Sequence, residues 1–139
     1  MDPILKKLHL TSGKTALILN SPDEFLETVK SNGIDAHTEV EDYYTNVLFF
    51  ANNLDEVEEL LNEASNAIET DGVMWFCYPK ASNELTEKSV FNILGEYDLV
   101  GVAKVSLNDN WIALRIQSDD EDFDFETEKG GKFKNVYDD

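Results

Sequence analysis

The stretch Asp71-Gly72-Val73-Met74-Trp75-Phe76-Cys77-Tyr78-Pro79-Lys80 holds six consecutive apolar or aromatic residues, Val73 to Tyr78, without alternation. A strand with one wet face alternates; a strand covered on both faces need not. The run therefore reads as the central strand of a parallel sheet with helices above and below. Asp71-Gly72 reads as the turn that opens it, and Pro79 closes it. The residues after Pro79 then fall at the carboxyl edge of the sheet, where open α/β folds place their ligands.

Working outward, Thr15–Asn20 and Asn46–Ala51 repeat the same doubly apolar character. Ile34–Val40 is a weaker short strand, followed by a loop over Glu41–Thr45. Asp2-Pro3 opens a first short helix, with Asp as cap and Pro at the first helical position. Ile4, Leu5 and Leu8 form its apolar side. Ser21-Pro22-Asp23-Glu24 fits a capping box, with Glu24 three residues after Ser21. The helix that follows should stop at Asn32-Gly33, a good left-handed end. Leu54, Val57, Leu61, Ala64 and Ile68 recur at helical spacing, so one inward stripe runs from Leu54 to about Glu69. Ser82 or Asn83 is positioned to cap another helix that runs to Leu94 and is closed by Gly95. Leu99–Leu107 and Trp111–Gln117 are strands. The three-residue turn Asn108-Asp109-Asn110 between them predicts an antiparallel hairpin.

The alternation of elements over residues 1–117 predicts one α/β, three-layer, Rossmann-like domain with a mostly parallel sheet and a C-terminal antiparallel hairpin. Residues 118–139 differ in kind. Nine acids stand there against three lysines, with Phe123, Phe125, Phe133, Val136 and Tyr137 interspersed. The expectation is an acidic, flexible tail, with docking on a protein partner or on the domain as the alternative. The formal net charge of −18 argues against nucleic acid and against anionic membrane surfaces as partners. No run approaches the ~18 apolar residues of a membrane-spanning helix. The N-terminus lacks the charge order of a signal peptide, and the single cysteine, Cys77, allows no internal disulfide. A cytoplasmic setting is the expectation.

The closing half, residues 46–117, resembles the second half of a class I S-adenosylmethionine-dependent methyltransferase, in which the last strand inserts antiparallel beside its neighbour. The first half has room for two strands and one helix only. The span from Met1 to Gln117 also resembles a family of small bacterial proteins with a reduced Rossmann-type domain and no assigned activity. The residues carrying that resemblance are Asp2-Pro3-Ile4-Leu5-Lys6-Lys7-Leu8, Leu17-Ile18-Leu19-Asn20-Ser21-Pro22, Trp75-x-x-Tyr78-Pro79-Lys80 and Trp111-x-Ala113-Leu114-Arg115.

The methyltransferase resemblance implies an S-adenosylmethionine site after the first strand, built on glycines that let the backbone approach the ligand. Here that turn reads Asn20-Ser21-Pro22-Asp23-Glu24, without glycine and with two carboxylates. No cofactor is therefore expected, and S-adenosylmethionine is the alternative. Glu39 or Glu41, after the second strand, is where a ribose would be held. The remaining candidates lie at the carboxyl edge. Lys80, Ser82 and Asn83 at a helix N-terminus form a small anion anchor. Asn20, Asn52 and Asn53 crowd the same edge as an amide-rich cleft suited to a small polar ligand, and Ser21 is a further candidate beside Asn20. Cys77 reads as inert packing, because a reactive thiolate needs an exposed electropositive site. His9 and His37 are isolated, and the acids at 119–124 lack EF-hand spacing, so no metal site is expected. Trp111 reads as core or as a border of the cleft. The function expected from all this is a non-catalytic binding or interaction module on a degenerate methyltransferase-like scaffold, with an atypical methyltransferase as the alternative.

Overall fold

The computed structural model describes residues 2–118. The expected acidic tail, from 119 onward, lies outside the described residues; Ser118 itself belongs to the last strand. In chain order the elements are α1 (Pro3–Lys7), β1 (Ala16–Leu19), α2 (Asp23–Ser31), β2 (Ala36–His37), β3 (Tyr44–Phe50), α3 (Leu54–Ala67), β4 (Ile68–Pro79), α4 (Glu87–Glu96), β5 (Leu99–Ser106) and β6 (Trp111–Ser118). They build one six-stranded sheet in the order β2-β1-β3-β4-β6-β5. The first four strands of that order are mutually parallel. β6 is antiparallel to β4 on one side and to β5 on the other. The chain leaves β4, crosses through α4, skips one place to lay down β5, and returns to fill the gap with β6. The fold is thus the three-layer, Rossmann-like arrangement expected, with the inserted last strand.

The unbroken apolar run follows from burial on both sides. Met74, Phe76 and Tyr78 point to the side covered by α3 and α4, where Phe49 stacks on Phe76 at 5.1 Å. Trp75 and Cys77 point to the side covered by α1 and α2, with Leu5, Leu8, Val29 and Phe50. The first half is abbreviated as expected: residues 38–43 carry the chain from β2 to β3 with no crossover helix. β2 is only two residues long, and β3 begins at Tyr44, inside the segment expected to be loop. Tyr44 is buried, and its hydroxyl accepts from Glu41 N at 3.0 Å and shares a 2.6 Å hydrogen bond with His37 Nδ1. That polar clasp holds the short crossing in place of a helix.

Two helix ends fall where the sequence puts them. The Asp2 carboxylate accepts from Ile4 N at 2.8 Å, capping α1. Past α2, Gly33 takes φ +79°, while Gly33 N and Ile34 N donate to Lys30 O and Val29 O. This is a Schellman ending, available to glycine because it has no Cβ.

Four expectations are corrected. The Ser21–Glu24 capping box does not form: Pro22, with extended ψ 147°, is the residue before α2, and no side chain caps that end. Asp71-Gly72 is not a turn, because α3 ends at Ala67 and β4 starts at once with Ile68. Ile68 pairs with Tyr44 and Val73 pairs with Asn46, so residues 69–72 are extra chain set against Thr45 alone. α4 does not start near Ser82 or Asn83. Instead Ser82 Oγ accepts from Glu84 N and Leu85 N, a tight turn that delivers Leu85 to the core. The helix then begins after Thr86, which exchanges hydrogen bonds with Ser89 as a capping box. Gly95 does not end α4; the helix continues to Glu96, and Asp98 takes the left-handed φ of 58°.

Gly72 is required by space. A Cβ there would lie 2.5 Å from Ile68 Cγ1 and 3.0 Å from the Glu69 carbonyl oxygen. Gly72→Ala is expected to cost about 1–3 kcal/mol, the range for overpacking a filled site. Urea unfolding checks this; a loss under ~0.5 kcal/mol, the usual scatter for a surface substitution, would show that the extra loop simply relaxes.

Candidate functional site

The carboxyl ends of β1, β2 and β3 meet the N-terminus of α3, and the polar residues expected there do converge. Asn20 follows β1 with φ 58°, a left-handed conformation that asparagine tolerates better than most residues. Its Nδ2 donates to Phe50 O at 2.8 Å and to Glu56 Oε1 at 3.3 Å. Asn52, just past β3, donates to the same Glu56 oxygen from its backbone N at 2.8 Å and from Nδ2 at 3.1 Å. Asn53 caps α3 by accepting from Glu56 N at 2.9 Å. The amide cluster is thus satisfied from within by a carboxylate in the first turn of α3. Ser21 sits half-buried beside it.

Glu56 is the residue that sequence reading missed. The helical stripe places it next to the inward face, and its position in the first turn suits the positive end of the helix. Its partners, however, lie 4 and 36 residues away in sequence, on two other strand ends. A second carboxylate closes the same helix end: Leu54 N donates to Glu84 Oε2 at 2.9 Å. The backbone donors of an α3 terminus that could have faced an anion therefore face Glu84 and Asn53.

Beside the amides lies a shallow groove of about 260 Å³ lined by Leu19, Asn20, Thr38, Glu56, Glu59, Leu60 and Glu63. That is below the usual range of small-molecule sites, and its charged lining is wholly acidic. Glu39 and Glu41 are exposed and do not line it; Glu41 lies 3.8 Å from His37 Nδ1, in the crossing loop.

The other three candidates belong to a different place. Lys80 N donates to Asn110 O at 2.8 Å, and Lys80 Nζ donates to Ser106 Oγ at 2.7 Å. Lys80 is a strut between the end of β4 and the β5–β6 hairpin. Ser82 makes the tight turn described above, and Asn83 is exposed. With α4 starting at Glu87, neither faces a helix N-terminus, and the anion anchor expected there is not assembled. The terminus itself carries Glu87, which pairs with Lys104 at 3.1 Å.

Nucleophile chemistry has no support in the strand. Cys77 is fully buried, and burial pushes its thiol well above the ordinary range. Burial, and then the Glu87 carboxylate, push the Tyr78 phenol up to about 12. Among the described residues no three His, Cys, Asp or Glu side chains come together as a metal-holding group. Trp111 packs edge-to-face on Phe50 at 5.1 Å, on the α1–α2 side rather than in the groove.

Glu56→Ala is expected to lower stability by about 0.5–1.5 kcal/mol, because it removes the carboxylate that takes three donors at the sheet edge. Glu59→Ala, on the exposed side of the same helix, should stay within ~0.5 kcal/mol. Thermal or urea unfolding of the two variants side by side checks this; equal costs would show that the Glu56 bridge contributes nothing.

No protein-family model matches the sequence, and no curated protein matches it. Solved structures share its fold. A ribosomal protein L11 methylase from Lactobacillus delbrueckii subsp. bulgaricus aligns with a TM-score of 0.52 at 13% identity, over 76% of this chain and 69% of the other. DhpI, in a complex with SAH, aligns at 0.50 and 8% identity, over 75% and 76%. A protein in the NADB-Rossmann superfamily from Streptococcus agalactiae aligns at 0.50 and 12% identity, over 85% and 68%. At such identities the likeness is one of fold. By architecture and strand insertion alike, the chain is similar to class I S-adenosylmethionine-dependent methyltransferases.

Proposed function

We propose that this chain is a non-catalytic binding or interaction module on a methyltransferase-like scaffold whose ligand edge is closed by its own side chains. The observation that carries the reading is Glu56: one carboxylate oxygen takes the amides of Asn20 and Asn52 and the backbone of Asn52. A ligand entering after β1 would have to displace that bridge. It would also meet a turn, Asn20-Ser21-Pro22, with no glycine to let a ligand approach the backbone. What remains open at this edge suits a small polar molecule, and the setting proposed is cytoplasmic.

The second reading is an atypical S-adenosylmethionine-dependent methyltransferase. The fold likeness favours it, as does the coincidence of the acidic groove with the ends of β1 and β2. Calorimetric titration with S-adenosylmethionine and with S-adenosylhomocysteine separates the two. The module reading expects no saturable heat at micromolar ligand. A saturable micromolar isotherm that Glu56→Ala or Asn20→Ala abolishes would replace it with the second.

A further inference from the structure

Among the described residues Asn46 is the one non-aromatic polar residue that is buried, and its Oδ1 is the one buried side-chain oxygen or nitrogen without a hydrogen bond. An orphaned acceptor in a packed interior is costly and uncommon. Nδ2 of the same amide is engaged by Leu8 O and His9 O. Asn46 lines a cleft of about 330 Å³ at the amino edge of the sheet, on the α1–α2 side and at the opposite end of the strands from Glu56. That volume is at the lower end for small-molecule sites. Val47 pairs with Leu17 and Asn46 with Val73, so Ala16, Asn46 and Val73 stand at one level across β1, β3 and β4. Lys14 comes two residues before Ala16, and Asp71 two before Val73. Neighbouring strands lie about 4.7–4.9 Å apart, so these two charges start two strand spacings apart, on either side of Asn46. Both are exposed, both line the cleft, and neither is ion-paired with a described residue. The other titratable group of the lining is His9. The neighbouring acids Asp35 and Glu69 do not line it, and the Asp35 carboxylate accepts from Thr15 Oγ1 at 2.9 Å.

A cation on one flank, a carboxylate on the other and an unused acceptor between them suit a ligand that carries both charges. We propose that this cleft binds a small α-amino acid in its zwitterionic form. The ligand's carboxylate meets Lys14 and the His9 ring, and its ammonium meets Asp71 and Asn46 Oδ1. An ammonium has three donors and no acceptor, so it serves both oxygens at once. Hydrogen bonds from such a charged donor are about twice as strong as neutral ones. A bare anion would leave Asn46 Oδ1 orphaned, and a bare cation would leave Lys14 without a partner. Ala16 and Val73 give an apolar wall for a short side chain. Oδ1 is shielded from solvent, so the ammonium reaches it as the Thr11–Lys14 turn moves aside. That turn is exposed throughout, and its closing hydrogen bond, Lys14 N to Thr11 O, is long at 3.4 Å. The inference goes beyond the proposed function, because it concerns the opposite end of the strands and stands whether or not the α3 edge binds a ligand.

The test is a heteronuclear NMR titration of the full chain with L-alanine, and with propionate and ethylamine, each of which lacks one of its two charges. L-alanine should give saturable shifts at the Asn46 side-chain amide and at the Thr45 and Val73 backbone amides. Propionate and ethylamine should bind at least about tenfold more weakly, since each forgoes a hydrogen bond between charged groups. Lys14→Ala and Asp71→Ala should each weaken L-alanine binding by a similar factor and leave the urea midpoint unchanged, because both side chains are exposed. No saturable shift at millimolar L-alanine, equal binding of propionate or ethylamine, or binding untouched by both variants overturns the inference. Shifts confined to Asn20 and Asn52 also overturn it and put the ligand at the α3 edge, the outcome that bears on the proposed function instead.

Discussion

Trp75→Ala should lower the unfolding free energy by about 3–5 kcal/mol, the usual cost of removing a buried large aromatic. Trp75 is 1% exposed in the middle of β4, and it is the largest fully buried side chain on the α1–α2 face of the sheet. Its loss opens a cavity between β4, α1 and the segment after α1. It also removes the donor that Nε1 offers to Leu8 O at 3.1 Å. Trp75→Phe separates the two contributions. The ring volume is largely kept, and Leu8 O still accepts from Asn46 Nδ2 at 3.2 Å. The cost should then fall to about 1–2 kcal/mol, one hydrogen bond plus a small void. Urea unfolding of both variants checks the pair; equal losses would mean that the indole N–H, not the packing, holds the strand to α1.

Asn46→Asp is the second large effect, and it depends on pH. Asn46 is 6% exposed at the start of β3's paired run. Its Nδ2 donates to Leu8 O and to His9 O, the latter at 2.8 Å, while Oδ1 has no partner among the described residues. The amide brackets the end of α1 against the sheet, and the left-handed His9, φ 65°, depends on that bracket. An aspartate has the same shape but, when ionised, turns an oxygen toward two carbonyl oxygens in a dry site. The cost near neutrality should be about 3–5 kcal/mol, that of an uncompensated buried charge. Protonation relieves it, because the acid can donate to one of the carbonyls. The folded-state pKa of the new carboxyl is therefore raised above the ~3.9 of a free aspartate. Below that value the variant should approach wild type; the difference opens as pH rises through the raised folded pKa. Measuring wild type and variant by urea unfolding at pH 4 and pH 7 cancels the background titration of the other acids. A gap that does not change with pH would show that the carboxylate finds water at this site.

Much of the architecture was legible because it rests on local signals. The doubly apolar runs, the α3 stripe, the Asp2-Pro3 cap, the Gly33 stop and the polar hairpin turn each declare themselves within a few residues. One misreading has a visible cause. Ser82 and Asn83 are chemically fit to cap a helix, and both lost to Thr86 because Leu85 had to reach the core: burying it moved the start of α4.

The candidate site was legible only as a list of residue types. That asparagines gather at the carboxyl edge follows from strand order, and Asn20 and Asn52 do meet there. Which group satisfies them does not follow, because Glu56 and Glu84 reach their partners across gaps of up to 36 residues. Sequence by itself determined which residues lie inside and where the parallel strands end, since burial on both faces of a sheet abolishes alternation along a strand. Only the tertiary structure decided that Glu56 bridges the amides and that Lys80 braces the hairpin. A side-chain hydrogen bond extends only ~3 Å, so it is specified by the packing that brings two distant segments together and leaves no periodic trace in the chain.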